Sequence, residues 1–394
     1  MRRLDALGLM LLLLLGCPPK DPVVHDSDSV STPDCGTFVD GDWAIARSTL
    51  VGTDIELLGD EGEIGTAIPT VMLMGGFNAN QAPSTLVERL PAGHGLVQVR
   101  LDLPGGGDDD EESDYFGHAS RKMVVRALQF ASGEIPDDSG CSIRDYFATV
   151  DVDALVLFGH SNGGNLAVAT LTDPEVEPPA VRGLVTWETP SGPQFVLDEL
   201  VLPETRECTL MEGSGLICKV DYSQLEWDGR PWLDRNDDGV RDEDEPTFEG
   251  LLLEEGRLHS PFLLETLGDR EGVMSLEESL DWFALRNASI LVEDTPEDLA
   301  VIVLGSEKDH FQVIPDAPHV IGLGLAFQEA GHWVRLNPDS AYTGEESEND
   351  AGGGLDFEDP GWLAPEDLAP GTLMAAGIQE MGLRILEDDW SADR

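Results

Sequence analysis

The sequence has few positive charges and few aromatic residues. Lys and Arg total 23 of its 394 residues against 77 Asp and Glu, which gives a formal net charge of -54, and Phe, Trp and Tyr make up 6%. Because proteins that bind nucleic acid neutralise its phosphates with clusters of Lys and Arg, this deficit argues against nucleic acid as a partner. Such an acidic excess repels itself unless cations collect around it, so solvated acidic faces and bound divalent cations are expected.

No apolar run after residue 16 is long enough to span a bilayer. The N-terminal stretch "MRRLDALGLMLLLLLGC" joins two arginines to the apolar Leu7–Leu15 and ends at Cys17. This pattern indicates a signal peptide over 1–16. Its ending "LLGC" resembles the processing box of bacterial lipoproteins, and the resemblance implies that Cys17 is lipidated. The protein is then expected to be exported and to meet a membrane only through this anchor. The alternative is an ordinary secretory signal with a chance cysteine.

Cysteines are also few, and beyond Cys17 the sequence has four: Cys35, Cys141, Cys208 and Cys218. Export permits disulfides, and four cysteines allow three pairings. Cys208 and Cys218 bracket "TLMEGSGLI", whose Gly-Ser-Gly centre suits a hairpin turn that brings them together. This favours pairing Cys208 with Cys218 and Cys35 with Cys141, and four free thiols are the alternative.

After the signal peptide, three kinds of segment are predicted along the chain. Residues 17–34 are rich in Pro, Ser and Asp and indicate a flexible tether. In 35–190 and 297–394, apolar strand patterns alternate with helical ones, and this alternation predicts an α/β fold with a mostly parallel sheet covered on both faces. The alternation stops in 191–296, which is interpreted as an inserted cap.

Besides helices around Thr85–Leu90 and from Gly164 to about Leu171, three helices are predicted within this frame. The spacing of Val124, Leu128 and Phe130 indicates a helix in "FGHASRKMVVRALQFASG". In the cap, a helix begins at Ser275, where Glu278 completes a capping box. A further helix is expected near the C-terminus, over about residues 371–387.

The stretch "ALVLFGHSNGGNLAVATL", residues 154–171, carries the strongest catalytic pattern. A buried strand leads into Gly159-His160-Ser161-Asn162-Gly163, and a small-residue helix follows. A nucleophile elbow requires this order of strand, tight turn and helix, with glycines where the backbones crowd. Here the sequence resembles the α/β-hydrolase family, and the resemblance implies that Ser161 is the nucleophile of a hydrolase with no organic cofactor and a small acyl or ester substrate.

The family resemblance extends to two further segments. "LMGGFNANQ" resembles the oxyanion turn, which implies that the backbone amides of Phe77 and Asn162 receive the negative oxygen of a tetrahedral intermediate. "LAVIVLGSEKDHFQVIP" resembles the late strand and its acid-bearing loop, which implies that Asp309 orients and charge-stabilises the catalytic imidazole.

The general base is where the sequence departs from the family order of serine, acid, histidine. No histidine lies beyond His332. If "VIGLGLAF" is the last strand, His332 follows it and serves as the base, which is the assignment we predict. If 317–330 is instead a helix ended by Gly331, "HWVRLNP" is the last strand and His332 lies at its far end. His310 is then the nearest candidate, or the base is absent.

The acidic stretch "DRNDDGVRDEDE" predicts a calcium loop within the cap. Oxygen ligands at alternate positions, a glycine for the sharp bend and a terminal Glu are what such a loop requires. The pattern resembles the loops of EF-hand proteins, and the predicted ligands to Ca²⁺ are Asp234, Asn236, Asp238, the Val240 carbonyl, Asp242 and Glu245. The alternative is a solvated acidic loop.

The sequence as a whole predicts an exported serine hydrolase that acts on an ester or similar acyl bond. The alternative is a catalytically inactive envelope lipoprotein of the same fold with a binding function. The register around His332 is the sequence feature that separates the two.

Overall fold

The computed structural model describes the chain in segments. By its contacts the chain divides after Pro33, and all described residues lie in the second unit, Asp34–Arg394. They are 35–61, 66–73, 90–104, 114–191, 207–211, 215–219, 225–228, 231–234, 236–242, 253–254, 257–258, 272–305, 318–339, 342 and 369–391. No helix in these segments has the length and apolar character needed to cross a membrane.

A nine-stranded sheet forms the centre of the fold. Its strands are β1 (Phe38–Asp40), β2 (Trp43–Leu50), β3 (Thr53–Asp60), β4 (Ile68–Leu73), β5 (Leu96–Leu101), β6 (Val156–His160), β7 (Gly183–Trp187), β14 (Ala300–Leu304) and β15 (Trp333–Leu336). Their spatial order is β1-β2-β3-β5-β4-β6-β7-β14-β15. The pairs β1–β2, β2–β3 and β3–β5 are antiparallel, and every pair from β5 to β15 is parallel.

Six short strands between β7 and β14 form separate two-stranded sheets. They pair antiparallel as β8 (Glu207–Met211) with β9 (Gly215–Lys219), β10 (Leu225–Trp227) with β11 (Pro231–Leu233), and β12 (Leu253–Glu254) with β13 (Arg257–Leu258). The β8–β9 pair confirms the predicted hairpin, and Cys208 lies directly opposite Cys218 in its register.

Seven helices accompany these strands in the described segments. They are α1 (His118–Ala131), α2 (Ile143–Tyr146), α3 (Asn162–Thr172), α4 (Leu276–Ala284), α5 (Ala288–Leu291), α6 (Pro318–Glu329) and α7 (Pro370–Glu387). The three helices listed in the sequence analysis correspond to α1, α4 and α7, and the small-residue helix predicted after Ser161 corresponds to α3. The helix predicted around Thr85–Leu90 falls, apart from Leu90, outside the described residues. The capping box is present at the start of α4, where the Ser275 hydroxyl accepts the amide N–H of Glu278 and the Glu278 carboxylate accepts the amide N–H of Ser275.

The helices cover both faces of the sheet. On one face, Leu128 of α1, Leu166 of α3 and Phe327 of α6 belong to a core that includes strand residues such as Val71. On the other face, α7 contributes to a second core with strand residues such as Phe158. Because helices cover both faces, β4, β5, β7 and β14 are buried along their whole length. The predicted α/β architecture is confirmed.

A disulfide joins the start of the described chain to the segment after α1. Cys35 and Cys141 are bonded with a Cα–Cα distance of 5.8 Å, which confirms this half of the favoured pairing. The loop that the bond closes spans 106 positions of sequence. Asp137 supports the same corner, because its carboxylate accepts hydrogen bonds from the Cys141 amide at 2.8 Å and the Tyr146 hydroxyl at 2.6 Å.

Candidate active site

Ser161 occupies a strained turn between β6 and α3. Its backbone angles are φ +51° and ψ -129°, a conformation that residues with a side chain rarely adopt. The Ser161 amide donates to the carbonyl of Trp187, the last residue of β7, at 2.7 Å, and the Ser161 carbonyl accepts the Gly164 amide at 3.0 Å. Such a backbone costs about 1–3 kcal/mol and persists only where surrounding contacts enforce it. The turn therefore has the geometry of a nucleophile elbow.

Glycines permit this turn by removing side chains where backbones meet. A Cβ added to Gly159 would lie 2.5 Å from the Gly164 amide nitrogen and 2.7 Å from the Gly163 carbonyl carbon. A Cβ added to Gly164 would lie 2.8 Å from Cγ2 of Thr189. Gly164, which the sequence motif does not include, is thus as sterically constrained as Gly159.

The loop that follows β7 lies beside the elbow, because β7 is the neighbour of β6. Glu188 is 2% exposed, has φ +44° and donates its amide to the Leu304 carbonyl at 2.9 Å. Thr189 is 1% exposed, and its hydroxyl has no hydrogen-bond partner among the residues that the structure describes. Two buried polar residues thus follow Trp187, whose carbonyl binds the Ser161 amide, and the sequence analysis assigned a function to neither.

Asn165 fixes the elbow helix to this loop. It is fully buried one helical turn after Ser161, and its amide nitrogen donates to the side-chain oxygen of Asn162 at 3.3 Å and to the Pro190 carbonyl at 3.1 Å. Its side-chain oxygen accepts the amide of Ala288, the first residue of α5, at 2.9 Å. A polar residue among the apolar residues of α3 was the one signal that the sequence offered for this link.

Two buried arginines attach residues 275–291 to the core. Arg121 forms an ion pair with Asp173 at 3.1 Å and donates to the Leu285 carbonyl at 2.8 Å. Arg286 donates to the Tyr115 carbonyl at 2.7 Å. Burial works to raise the pKa of Asp173, but hydrogen bonds and the charge of Arg121 outweigh it and lower that pKa.

The predicted acid and one oxyanion donor lie outside the described residues, and so does His310. Asp309 belongs to the segment that follows Gly305. The Asn337 side chain binds the backbone of Gly305 twice: its oxygen accepts the Gly305 amide at 3.1 Å, and its Nδ2 donates to the Gly305 carbonyl at 3.2 Å. Gly305 follows β14 at the carboxyl edge of the sheet, which is the edge that bears Ser161. Phe77 belongs to the segment after β4. The other predicted donor, Asn162, is buried at the first position of α3.

The assignment of His332 as the base is wrong. Residues 318–329 form α6, Gly331 takes φ +93° after its end, and β15 begins at Trp333. The helix alternative is therefore the observed one. The ring of His332 contacts the Leu299 carbonyl through Nδ1 at 3.1 Å and the Thr295 hydroxyl through Nε2 at 2.8 Å, and both partners precede β14.

The strand register gives the distance between His332 and the elbow. Trp333 lies level with Val156 through the parallel pairs β15–β14, β14–β7 and β7–β6. Ser161 is five residues further along, about 16 Å at 3.3 Å per residue, and three strands away, about 14 Å. A hydrogen bond between His332 and Ser161 cannot span that separation, because His332 lies at the opposite edge of the sheet.

The segment after β15 has no histidine at its described positions, which are 337–339 and 342. It is held by buried charges instead: the Asp339 amide donates to Glu380 of α7 at 2.7 Å, and Arg384 pairs with the same carboxylate at 2.7 Å. Arg335 of β15 lies 3.5 Å from Glu380. This cluster ties the end of the last strand to α7.

The predicted calcium loop is folded over its described part. The Asp234 carboxylate accepts the amides of Asp238 at 3.2 Å and Gly239 at 2.7 Å, and Gly239 takes φ +70°. The Asn236 amide contacts Asp238 and Asp242. Among the described residues, no group of three or more Asp, Glu, His or Cys side chains is arranged to hold a metal ion, and the predicted ligand Glu245 is outside them. The described part supplies the turn and not a complete ligand set.

No protein-family model matches the sequence, and no curated protein sequence matches it. Its structure is similar to that of a thermostable esterase from Pseudomonas putida (14% identity, 89% of this chain and 84% of that chain, TM-score 0.39). It is also similar to a fungal esterase from Rhizomucor miehei (11% identity, 91% of this chain and 85% of that chain, TM-score 0.41). A third similar structure is a hormone-sensitive lipase from a metagenome library (15% identity, 76% of each chain, TM-score 0.38).

Sequence identities of 11–15% and TM-scores of 0.38–0.41 carry no argument about activity. The fold is defined by features of this chain itself, which are the strand order, the parallel pairs on either side of β6, the helices on both faces and the strained turn at Ser161. With these features the chain has the α/β-hydrolase fold.

Proposed function

We propose that this protein is a serine hydrolase that cleaves an ester or similar acyl bond in a small substrate. The observation that carries the proposal is the conformation of Ser161, whose φ of +51° is held between a buried strand and the start of α3. A fold that needed only to connect a strand to a helix would have no reason to hold a serine in a strained backbone. At functional sites such strain positions a reacting group.

The chemistry that these residues support is acyl transfer through a covalent intermediate. The Ser161 hydroxyl attacks the acyl carbon and its proton passes to a base, which returns it to the departing leaving group as the original acyl bond breaks. The developing oxyanion lies toward the first turn of α3, where the Asn162 amide and the helix dipole favour negative charge. Water then cleaves the acyl-enzyme. Asp309 and the Phe77 amide remain the proposed acid and second oxyanion donor.

A fluorophosphonate probe tests the proposal, because it labels only an activated serine. The folded protein should take the label and hydrolyse short-chain aryl esters, and Ser161→Ala should abolish both. Ser132→Ala is the matched control, since Ser132 follows α1 and its hydroxyl bonds only to the Gln129 carbonyl in the described structure. A folded wild-type protein that neither reacts with the probe nor cleaves esters would favour the inactive, ligand-binding alternative, which the lack of any histidine after His332 supports.

Calcium binding at the loop from Asp234 to Glu245 is a second proposal. Its support is the amide–carboxylate pattern around Asp234 and Gly239. Calcium there would stabilise the folded state alone, so chelation should lower the melting temperature. Asp234→Asn should remove this response, whereas Asp237→Asn should keep it because Asp237 is not a predicted ligand. An identical melting curve in excess chelator, with no calcium by metal analysis, would contradict the proposal.

Export and lipid anchoring at Cys17 remain proposals that rest on the N-terminal sequence. Labelling of the expressed protein with a fatty acid, followed by detergent-phase partition, tests them. Cys17→Ser should abolish the lipid label. Retention of the label in that variant would show that Cys17 is not the site.

A further inference from the structure

The proposed hydrolase needs a base that the sequence does not identify. His332 lies at the wrong edge of the sheet, and no histidine follows it. His160, the last residue of β6, is adjacent to Ser161 in sequence, which normally directs the two side chains apart. His118 contacts Asp173 and Glu175, beyond the far end of α3 from Ser161. Among the described histidines near the carboxyl edge of the sheet, His319 is the one left to consider.

The fold brings the first turn of α6 to the edge that bears Ser161. Helix α6 connects the parallel strands β14 and β15, so it must run back from the carboxyl edge to the amino edge of the sheet. The hydrogen bond from the His332 amide to the Phe327 carbonyl, at 3.1 Å, fixes the end of α6 at the amino edge. His319, the second residue of α6, therefore lies at the carboxyl edge, and it is 5% exposed.

Hydrogen bonds connect His319 to the elbow through two consecutive residues. The Ser191 hydroxyl donates to the His319 carbonyl at 3.2 Å. The carbonyl of the preceding residue, Pro190, accepts a hydrogen bond from the side-chain Nδ2 of Asn165 at 3.1 Å. Asn165 is four residues after Ser161, about 6 Å of helical rise. The loop after β7 thus joins the first turn of α6 to the first turns of α3.

We propose that His319 is the general base of Ser161, an inference that rests on the hydrolase function proposed above. The His319 imidazole accepts the Ser161 hydroxyl proton as the bond from Oγ to the acyl carbon forms. It gives that proton to the departing alkoxide as the ester C–O bond breaks. In the second half, it takes a proton from the attacking water and returns it to Ser161 as the acyl-enzyme is cleaved, so that ester and water become acid and alcohol.

Substitution of matched histidines tests the assignment. His319→Gln should lower both ester turnover and the rate of fluorophosphonate labelling by about 10³-fold or more, because the serine and its base act as a unit. His332→Gln is the control: it removes a partly buried, hydrogen-bonded histidine at the other edge, and turnover should stay within a few-fold of the wild type. Added imidazole should partly restore turnover in His319→Ala, which a purely structural histidine would not allow.

A measurement on the unmodified chain covers the case in which His319 variants do not fold. A substrate-like chloromethyl ketone alkylates the histidine beside a reactive serine, and peptide mapping should find the adduct on His319. An adduct on His310, or full turnover in folded His319→Gln, would overturn the assignment and leave the hydrolase function standing. A folded wild-type protein with neither labelling nor turnover would refute the hydrolase function, and the proposed base with it.

Discussion

Gly164→Ala tests whether close packing against Thr189 holds the elbow. In an open helix this change stabilises by about 1 kcal/mol, because alanine has the higher helix propensity. At position 164 the new Cβ would lie 2.8 Å from Cγ2 and 2.9 Å from Cβ of Thr189, closer than real Cβ atoms approach other heavy atoms. Overpacking of this kind costs about 1–3 kcal/mol. The variant should therefore be destabilised by up to about 2 kcal/mol.

Gly322→Ala is the matched control, because Gly322 is also in a helix and a Cβ there would meet no atom within 4 Å. It should gain the propensity term alone. The difference in unfolding free energy between the two variants, measured by chemical denaturation, then isolates the clash at about 1–3 kcal/mol.

Thr189→Ala provides the second half of a double-mutant cycle. It removes the Cγ2 and Oγ1 atoms that a Gly164 methyl would meet, so in the Gly164→Ala background it should recover part of the lost stability and part of the lost turnover. Equal stability of Gly164→Ala and Gly322→Ala would refute the packing argument. Additive effects of the two substitutions would show that Thr189 is not the contact.

Three further predictions concern stability and positioning. Loss of the Cys35–Cys141 disulfide by double serine substitution should lower the unfolding free energy by up to about 4.8 kcal/mol, from loop-closure entropy over 106 residues, as measured by denaturation with and without reductant. Because the pKa of Asp173 is lowered in the folded state, its contribution to stability should be present above about pH 4 and lost as pH falls through the lower folded value, and Asp173→Asn should flatten the acid limb of a pH–stability curve. Asn165→Ala should lower kcat and stability together, the latter by about 1–3 kcal/mol, since it leaves the buried Ala288 amide without its acceptor; unchanged thermal unfolding would argue against that link.

The parts of the fold that the sequence predicted are those that local pattern determines. The strands around the elbow are continuous apolar runs because helices cover them on both sides, and the turn at Ser161 is marked by glycines that its geometry needs. The β8–β9 hairpin followed from a Gly-Ser-Gly centre. In each case the residues that determine the element are within the element.

The error at His332 arose where local pattern is ambiguous. "VIGLGLAF" is a short apolar run, and periodicity alone does not separate a buried strand from a buried helix. In the structure this run is part of a twelve-residue helix, which packs against the sheet through residues such as Phe327. That packing, and not the local pattern, favours the helix. Asn165, Thr189 and Ser191 were missed for a different reason, since each acts through a partner far away in sequence.

The disulfide at Cys35 has a mechanical consequence. Strand β1 is three residues long and forms the outer edge of the sheet, held by pairing with β2 alone. A strand of that kind peels away when its chain end is pulled. Cys35 lies three residues before β1 and is bonded to Cys141, so a pull on the chain that precedes Cys35 loads a covalent bond into the body of the protein. The β1 edge of the sheet is thereby shielded from tension transmitted along the N-terminal segment.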